Sequence, residues 1–299
     1  DSYMIQKELL GDKTLILVEG IFLQRKEYDQ IFLSVPTMFG IALSSLFPKA
    51  DVIYYDDGLG SYYDNLVEQM NRSMQGKLCR LFRIDLTHME AKALYVNNTT
   101  FCKSTMTKDI RPLPSMLHCS EEFLQLLYRV FQYKSNPDYD KYPMIYLSQP
   151  NDASNQGMEV QSTKIMELLQ SYEKQCIVRP HPRQKNLDTG CLSVDKTRGL
   201  WELSCANQIT ENHILLGTYS TAQFIPKLLY QREPYLIFMY EVERPESSNM
   251  NYDAIMQMIQ GVKEGYSNPE KIKIPMSLAE LKRDIEDILN EKPKQNRIL

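Results

Sequence analysis

Several short polar motifs in the chain could do chemistry, and the first of them is acidic. Asp56-Asp57-Gly58 follows the mostly apolar run 51–55. A carboxylate at such a position can accept a proton as a general base, and the glycine lets the backbone turn tightly beside a ligand. Adjacent side chains at a strand end point to opposite sides, so one carboxylate would face the ligand and its neighbour would cap the next helix. The alternative is that both carboxylates serve only the turn and the cap.

The second motif is basic. Arg179-Pro180-His181-Pro182-Arg183 follows the apolar residues 176–178, and its two prolines fix the backbone around the histidine. A phosphate oxygen needs hydrogen-bond donors and cations, so the motif favours a phosphate site. We count Arg179, His181 and Pro182 among its residues. A rigid loop that carries a solvated histidine is the other interpretation.

The third motif carries hydroxyl groups. Gly217 ends another apolar run, and Ser220 and Thr221 follow it before a predicted helix. Hydroxyls and free amides at a helix N-terminus can bind an anion, although plain N-capping would explain the same residues.

Two further candidates are single side chains. Glu202 lies near the start of another predicted helix, where it could bind a ribose diol or serve the helix as a cap or dipole partner. Gln149 lies in a Ser-Gln-Pro turn at the end of a predicted strand, and it is a binding candidate only through the family resemblance described below.

Alternating strands and helices must position these motifs. Short apolar runs predict strands at 15–20, 30–36, 51–55, 77–84, 93–96, 144–148, 176–179, 214–217 and 235–240. Helical spacing of apolar residues predicts helices at 38–47, 62–70, 121–133, 159–172, 200–209, 222–230 and 278–288. Ligands of open parallel sheets bind beyond the carboxyl ends of the strands, which is where the motifs lie.

The alternation predicts an α/β fold with two domains. The stretch 134–143 has two prolines and almost no aliphatic residues, which is typical of an interdomain linker. Two βαβ series joined by this linker predict two Rossmann-like domains that face a central cleft. We place the N-terminal domain at 1–140 and the C-terminal domain, with its C-terminal helix, at 141–299.

Composition excludes some classes of function. The 299 residues carry a formal net charge of −4, so the chain has no global attraction to nucleic acid. No apolar run approaches the ~20 residues of a membrane span. The six cysteines show no C-x-x-C spacing, which favours reduced thiols in a cytosolic protein and no metal site.

The order of the motifs resembles that of the bacterial sialyltransferases, which carry a D/E-D/E-G motif, an HP motif and a serine/threonine pair. Here these are Asp56-Asp57-Gly58, His181-Pro182 and Ser220-Thr221. The length and the Asp-Asp-Gly-x-Gly-Ser-Tyr context look most like glycosyltransferase family 52, the group of lipooligosaccharide and capsule sialyltransferases. The resemblance spans roughly residues 50–225.

The resemblance implies a GT-B fold and a metal-independent, inverting transfer of sialic acid from CMP-sialic acid to a hydroxyl of a galactoside-type acceptor glycan, without a cofactor. It implies that Asp56 is the general base, that His181 and the hydroxyl pair contact the CMP phosphate, and that Glu202 binds the nucleoside. Asp57, Gly58, Gln149, Arg179, Pro182 and Gly217 complete the expected binding residues.

Several alternatives stay open at this point. Asp152 or Glu159 could replace Asp56 as the base, and the donor could be another nucleotide sugar such as a UDP-hexose. A non-catalytic protein that closes two α/β domains on a small ligand is a third possibility. We expect a cytoplasmic protein, and we leave open the acceptor linkage, a homodimer and peripheral contact with the inner face of the plasma membrane.

Overall fold

The computed structural model describes two compact units, which span Asp1–Pro114 and Ser115–Leu299. The described residues are 17–18, 21–22, 28–34, 40, 44, 47, 49–56, 59–62, 72, 74–81, 91–100, 102–136, 138–149, 159–182, 184, 188–197, 199–218, 220–242 and 252–291. Within these ranges, no helix has both the length and the apolar character needed to cross a membrane.

The N-terminal unit contains a four-stranded parallel sheet and a small antiparallel pair. The pair is formed by β1 (Leu17–Val18) and β2 (Ile21–Phe22). The sheet has the order β3-β4-β5-β6, with β3 (Gln30–Leu33), β4 (Asp51–Tyr55), β5 (Ala93–Val96) and β6 (Ile110–Pro112). Because all its strand pairs are parallel, the carboxyl ends of β4 and β5 lie next to each other at one edge.

The predicted strand at 77–84 is wrong. The structure has the helix α1 (Met74–Leu81) there. Met74, Lys77, Leu78, Arg80 and Leu81 all have high helix propensity, and this preference outweighs the short apolar run that suggested a strand. The predicted helices at 38–47 and 62–70 lie largely outside the described residues.

The C-terminal unit contains a six-stranded parallel sheet in the order β9-β8-β7-β10-β11-β12. Its strands are β7 (Met144–Leu147), β8 (Cys176–Arg179), β9 (Ser193–Val194), β10 (Ile214–Gly217), β11 (Tyr235–Phe238) and β12 (Ile272–Lys273). Numbered along the chain within this sheet, the order is 3-2-1-4-5-6, the doubly wound order of Rossmann folds. The direction of winding reverses between β7 and β10.

Seven helices belong to this unit in the described part of the chain. They are α2 (Glu121–Val130), α3 (Asp138–Lys141), α4 (Glu159–Gln170), α5 (Trp201–Asn207), α6 (Ile225–Tyr230), α7 (Tyr252–Glu264) and α8 (Leu278–Glu291). The α/β prediction and its parallel sheets are confirmed. The sequence analysis did not predict β9, β12, α3 and α7 of this unit, nor β2 and β6 of the N-terminal unit.

The core of the C-terminal unit is built on the central strands. All four residues of β7 and of β10 are buried, as expected for a parallel sheet covered on both faces. Ile165 and Leu169 of α4 pack in one cluster with Leu281, Ile285 and Ile288 of α8. The predicted amphipathic helix near the C-terminus therefore buries the face that its apolar spacing indicated.

The segment 134–143, which we predicted to be a linker, packs within the C-terminal unit. The backbone N–H of Asn136 donates to Gln208 Oε1 (2.9 Å), and Tyr139, fully buried in α3, donates to Asp195 Oδ2 (2.6 Å). These hydrogen bonds join the segment to the unit Ser115–Leu299, whereas the predicted boundary between the domains was 140/141. The low aliphatic content of the segment reflects a polar network.

Candidate functional site

Asp56 lies at the carboxyl edge of the N-terminal sheet, immediately after β4. Its backbone N–H donates to the carbonyl of Tyr95 in β5 (2.8 Å), which continues the pairing of the two strands. Its Oδ2 accepts from Tyr62 Oη (2.5 Å), Asn97 Nδ2 (2.8 Å) and the Asn97 backbone N–H (3.2 Å). Donors from two loops therefore fix the orientation of this carboxylate.

Tyr62 remains a hydrogen-bond donor over the physiological pH range. Its side chain is buried, and burial together with the negative charge of Asp56 raises the pKa of the phenol far above its ordinary value. The Asn98 backbone N–H donates to the same hydroxyl oxygen (3.3 Å). The phenol thus connects the loop after β5 to Asp56.

Sequence reasoning missed Tyr62 and Asn97. Asn97 directly follows a predicted strand, so the rule that selected Asp56 could have selected it too. Asp57, Gly58 and Asp152 lie outside the described residues, as does the side chain of Glu159.

His181 lies at the carboxyl edge of the C-terminal sheet, just after β8, and is partly exposed. Its backbone N–H donates to Ser148 Oγ (2.9 Å), and the Ser148 hydroxyl donates to Gln184 Oε1 (2.5 Å). Ser148 is buried directly after the neighbouring strand β7. It therefore fixes the loop that contains His181 and Pro182, and the partly exposed Gln149 follows it.

Arg179 lies in a buried network rather than on the open face of this loop. Its side chain is 13% exposed and forms a 2.5 Å ion pair with Asp195, whose side chain is 2% exposed. The guanidinium also donates to Tyr139 Oη (2.8 Å) and to the carbonyl of Gly199. Both terminal nitrogens of the guanidinium are thus bound by protein groups.

Asp195 carries a negative charge in this network. Burial opposes its ionisation, but hydrogen bonds from Thr197 and Tyr139 and the charge of Arg179 outweigh that cost and lower the pKa of Asp195. The same burial raises the pKa of Tyr139 well above its ordinary value. An ionised carboxylate therefore faces the guanidinium at neutral pH.

The hydroxyl motif follows β10. Ser220 Oγ accepts from the Ala222 backbone N–H (3.3 Å) and caps a short 3₁₀ turn over Thr221–Gln223. The N-capping interpretation of Ser220 is therefore confirmed. Capping uses the oxygen as an acceptor, and the hydroxyl hydrogen can still be donated. Ser220 and Thr221 are both partly exposed, so a ligand can reach them.

Gly217 closes β10 directly above a buried glutamine. Gln223 is fully buried, and its Nε2 donates to the carbonyls of Leu215 (3.2 Å) and Ile237 (3.0 Å). A Cβ added at Gly217 would lie 2.7 Å from Gln223 Oε1. The glycine is therefore required by close packing at the end of the strand.

Glu202 lies in the first turn of α5 and is partly exposed. No side chain caps this helix, because the N-cap residue is Leu200. The position suits the dipole interpretation and equally leaves the carboxylate accessible to a ligand.

His181, Ser148 and Ser220 follow three neighbouring strands at one edge of the C-terminal sheet. β8 and β10 both pair with β7, so the His181 loop and the hydroxyl loop flank the point at which the winding reverses. Two strand spacings place the ends of β8 and β10 about 10 Å apart. In open α/β sheets this crevice is the usual position of a ligand.

No family model matches the chain, and no curated protein matches it. Among solved structures, the chain is similar to one described as "Crystal Structure Analysis of the Glycotransferase of kitacinnamycin". The alignment has a TM-score of 0.42 and 8% sequence identity, and it covers 90% of this chain and 69% of that chain.

Proposed function

We propose that the chain is an inverting sialyltransferase that moves sialic acid from CMP-sialic acid to a hydroxyl of a galactoside-type glycan, such as a capsule or lipooligosaccharide. Asp56 is the general base in this proposal. His181, Ser220 and Thr221 stabilise the phosphate of CMP, and Glu202 binds the nucleoside. The GT-B arrangement of two Rossmann-like domains is part of the same proposal.

The observation that carries the proposal is the position of the His181 and hydroxyl loops on both sides of the switch point. A nucleoside monophosphate seated above the end of β7 would have its phosphate within reach of both loops. The sheet order 3-2-1-4-5-6 is the order that binds nucleotides at this crevice in other proteins. The order of the three motifs along the chain then favours CMP-sialic acid as the donor.

The reaction needs a base and an anion site. The acceptor oxygen forms a bond to the anomeric carbon of sialic acid while the bond from that carbon to the phosphate oxygen breaks, and CMP leaves with the electron pair. The acceptor proton passes to Asp56, a step worth about 10²–10⁴-fold in rate. Donors placed before the reaction stabilise the charge that develops on the phosphate, commonly the larger contribution.

A monophosphate leaving group carries less charge than a diphosphate. We propose that protein donors alone stabilise it, so that the transfer needs no divalent cation. The orientation of Asp56 by Tyr62 and Asn97 supports proton transfer, because a base must hold a fixed direction toward the acceptor hydroxyl.

A nucleotide-binding comparison tests the donor assignment. We expect CMP to raise the melting temperature of the chain more than UDP or GDP does. His181→Ala, and separately the double change Ser220→Ala with Thr221→Ala, should weaken CMP binding while the melting temperature without nucleotide barely moves. His118→Ala, an exposed histidine elsewhere in the same unit, is the control and should bind CMP as the parent does.

Other results of this nucleotide-binding comparison would support a different donor or a different phosphate site. Stabilisation by UDP or GDP in place of CMP would indicate a transferase with another nucleotide sugar. Unchanged CMP affinity in both variants would place the phosphate site elsewhere and contradict the assignment of His181 and the hydroxyl pair.

A further inference from the structure

Trp201, the single tryptophan of the chain, lies under the hydroxyl loop. Its indole is buried, and Nε1–H donates to the carbonyl of Ala222 (2.7 Å). The backbone N–H of Ala222 is the group that donates to Ser220 Oγ. One peptide segment therefore joins the indole to the hydroxyl residues that we assign to the phosphate.

The ring of Trp201 is fixed by charged and aromatic neighbours. The guanidinium carbon of Arg179 lies 4.9 Å from the ring centroid, which is a cation–π contact. Tyr139 meets the ring edge to face, with centroids 6.1 Å apart and an interplanar angle of 85°. Arg179 itself is held by the ion pair with Asp195, so the indole rests on a rigid, buried support.

Arg179 also fixes the backbone that leads into α5. Its guanidinium donates to the carbonyl of Gly199, two residues before Trp201. The loop after β9, the start of α5 and the turn after β10 are thus joined through two side chains, Arg179 and Trp201. Glu202, the next residue of α5, is positioned by the same contacts.

We propose that Trp201 is a positioning residue for the donor phosphate, and that Arg179 acts through it rather than on the ligand. The interaction responsible is the hydrogen bond from the indole N–H to the Ala222 carbonyl, which holds the Thr221–Gln223 turn in place. This inference rests on the proposed function for the identity of the ligand. The link between indole and loop stands on the contacts alone.

Trp201→Phe tests the inference, because phenylalanine keeps a ring beneath Arg179 but lacks the N–H group. We expect hydrogen–deuterium exchange to become faster in the peptide 218–224 and to stay unchanged in β7 and β8. CMP should bind about 3–10-fold more weakly, as expected for the loss of one hydrogen bond. The control Tyr133→Phe also removes one hydrogen bond in this unit, to Gln208 Oε1 (3.2 Å), and should leave both readouts at the parent level.

The hydrogen–deuterium exchange measurement tests the positioning role of Trp201 separately from the proposed function. If the parent fails to bind CMP, the proposed function fails, and the exchange at 218–224 still decides whether Trp201 positions the loop. Unchanged exchange in that peptide would overturn the inference. Faster exchange throughout the sheet would also overturn it, because the indole would then serve general stability.

A second variant covers the case in which Trp201→Phe does not fold. Arg179→Lys keeps the charge but loses the planar stacking group. Since Trp201 is the only tryptophan, its fluorescence reports this one site, and we expect a shifted emission together with faster exchange at 218–224. Parent-like emission and exchange would contradict the role given to Arg179.

Discussion

Asp56 is the residue on which the proposed chemistry depends. We expect Asp56→Asn to lower kcat by about 10²-fold or more, because asparagine keeps the shape but cannot accept the acceptor proton. CMP affinity and melting temperature should stay near those of the parent. Initial rates of CMP release, with CMP binding measured in parallel, check this prediction. Asp51→Asn is the control, since Asp51 lies at the opposite end of the same strand and pairs with the exposed Lys92.

Two results would contradict the role of Asp56. A nearly fully active Asp56→Asn variant would indicate that another carboxylate, Asp152 or Glu159, is the general base. Loss of parent activity in EDTA, with recovery on addition of Mg²⁺ or Mn²⁺, would indicate that the acidic motif holds a metal.

Asp195 contributes to stability in a pH-dependent way. Its pKa is lower in the folded chain than its ordinary value of about 3.9, so its contribution is complete above that pH and is lost as the pH falls through the lower native pKa. At pH 7, Asp195→Asn should destabilise the chain by about 3 kcal/mol, because it leaves the buried Arg179 without its counter-ion. Urea unfolding of parent and variant from pH 7 to pH 3 measures the difference.

The difference in stability between parent and Asp195→Asn should shrink below about pH 4. The exposed pair of Asp109 and Arg111 provides the control, and Asp109→Asn should change stability little at any pH. A parent–variant difference that stays constant down to pH 3 would argue against the ionised Asp195.

At the scale of elements, the end of β10 packs closely against the buried Gln223. Gly217→Ala would bring a methyl group against Gln223, which must then shift and weaken its hydrogen bonds to the neighbouring carbonyls. We expect a loss of about 1–3 kcal/mol, read as a lower melting temperature. Gly199→Ala is a matched control, because an added Cβ there would lie 3.8 Å from the Thr197 hydroxyl. Equal melting temperatures for the two variants would contradict the packing argument.

Elements with a strong apolar signal could be predicted from the sequence, and weakly patterned ones could not. The sequence analysis found β7, β8, β10 and β11 from their runs of apolar residues, and it found α8 from its apolar stripe. The two-residue strands β9 and β12 have no periodicity to detect, since their pairing depends on neighbours in the sheet. The short helix α3 forms in a polar stretch because Tyr139 finds its partners elsewhere in the unit.

The same distinction applies to the candidate site. Asp56, His181 and Ser220 follow strands in sequence, so a rule about strand ends finds them. The same rule could have selected Asn97, but it could not show which residues meet. The contacts of Asn97 with Asp56 and of Ser148 with His181 depend on the order of the strands, which no local pattern contains. Arg179 belongs to a predicted phosphate motif, but in the structure it is bound by the buried Asp195, which lies in the loop after β9.

At the scale of the whole molecule, the proposed reaction requires Asp56 of the N-terminal unit and the His181 and hydroxyl loops of the C-terminal unit. The net charge of −4 gives the chain no general attraction to anions. Recognition of an anionic donor therefore has to come from local groups such as the amides and hydroxyls after β8 and β10.

Turnover of CMP-sialic acid by the parent chain tests the central claim most directly. CMP release would be measured with and without a panel of galactosides, in the presence of excess EDTA, and the product glycoside would be identified by mass. The account predicts that CMP is released with at least one galactoside, that the acceptor gains one sialic acid, and that EDTA leaves the rate unchanged. CMP-sialic acid left intact with every acceptor, while a UDP-hexose is consumed under the same conditions, would contradict it.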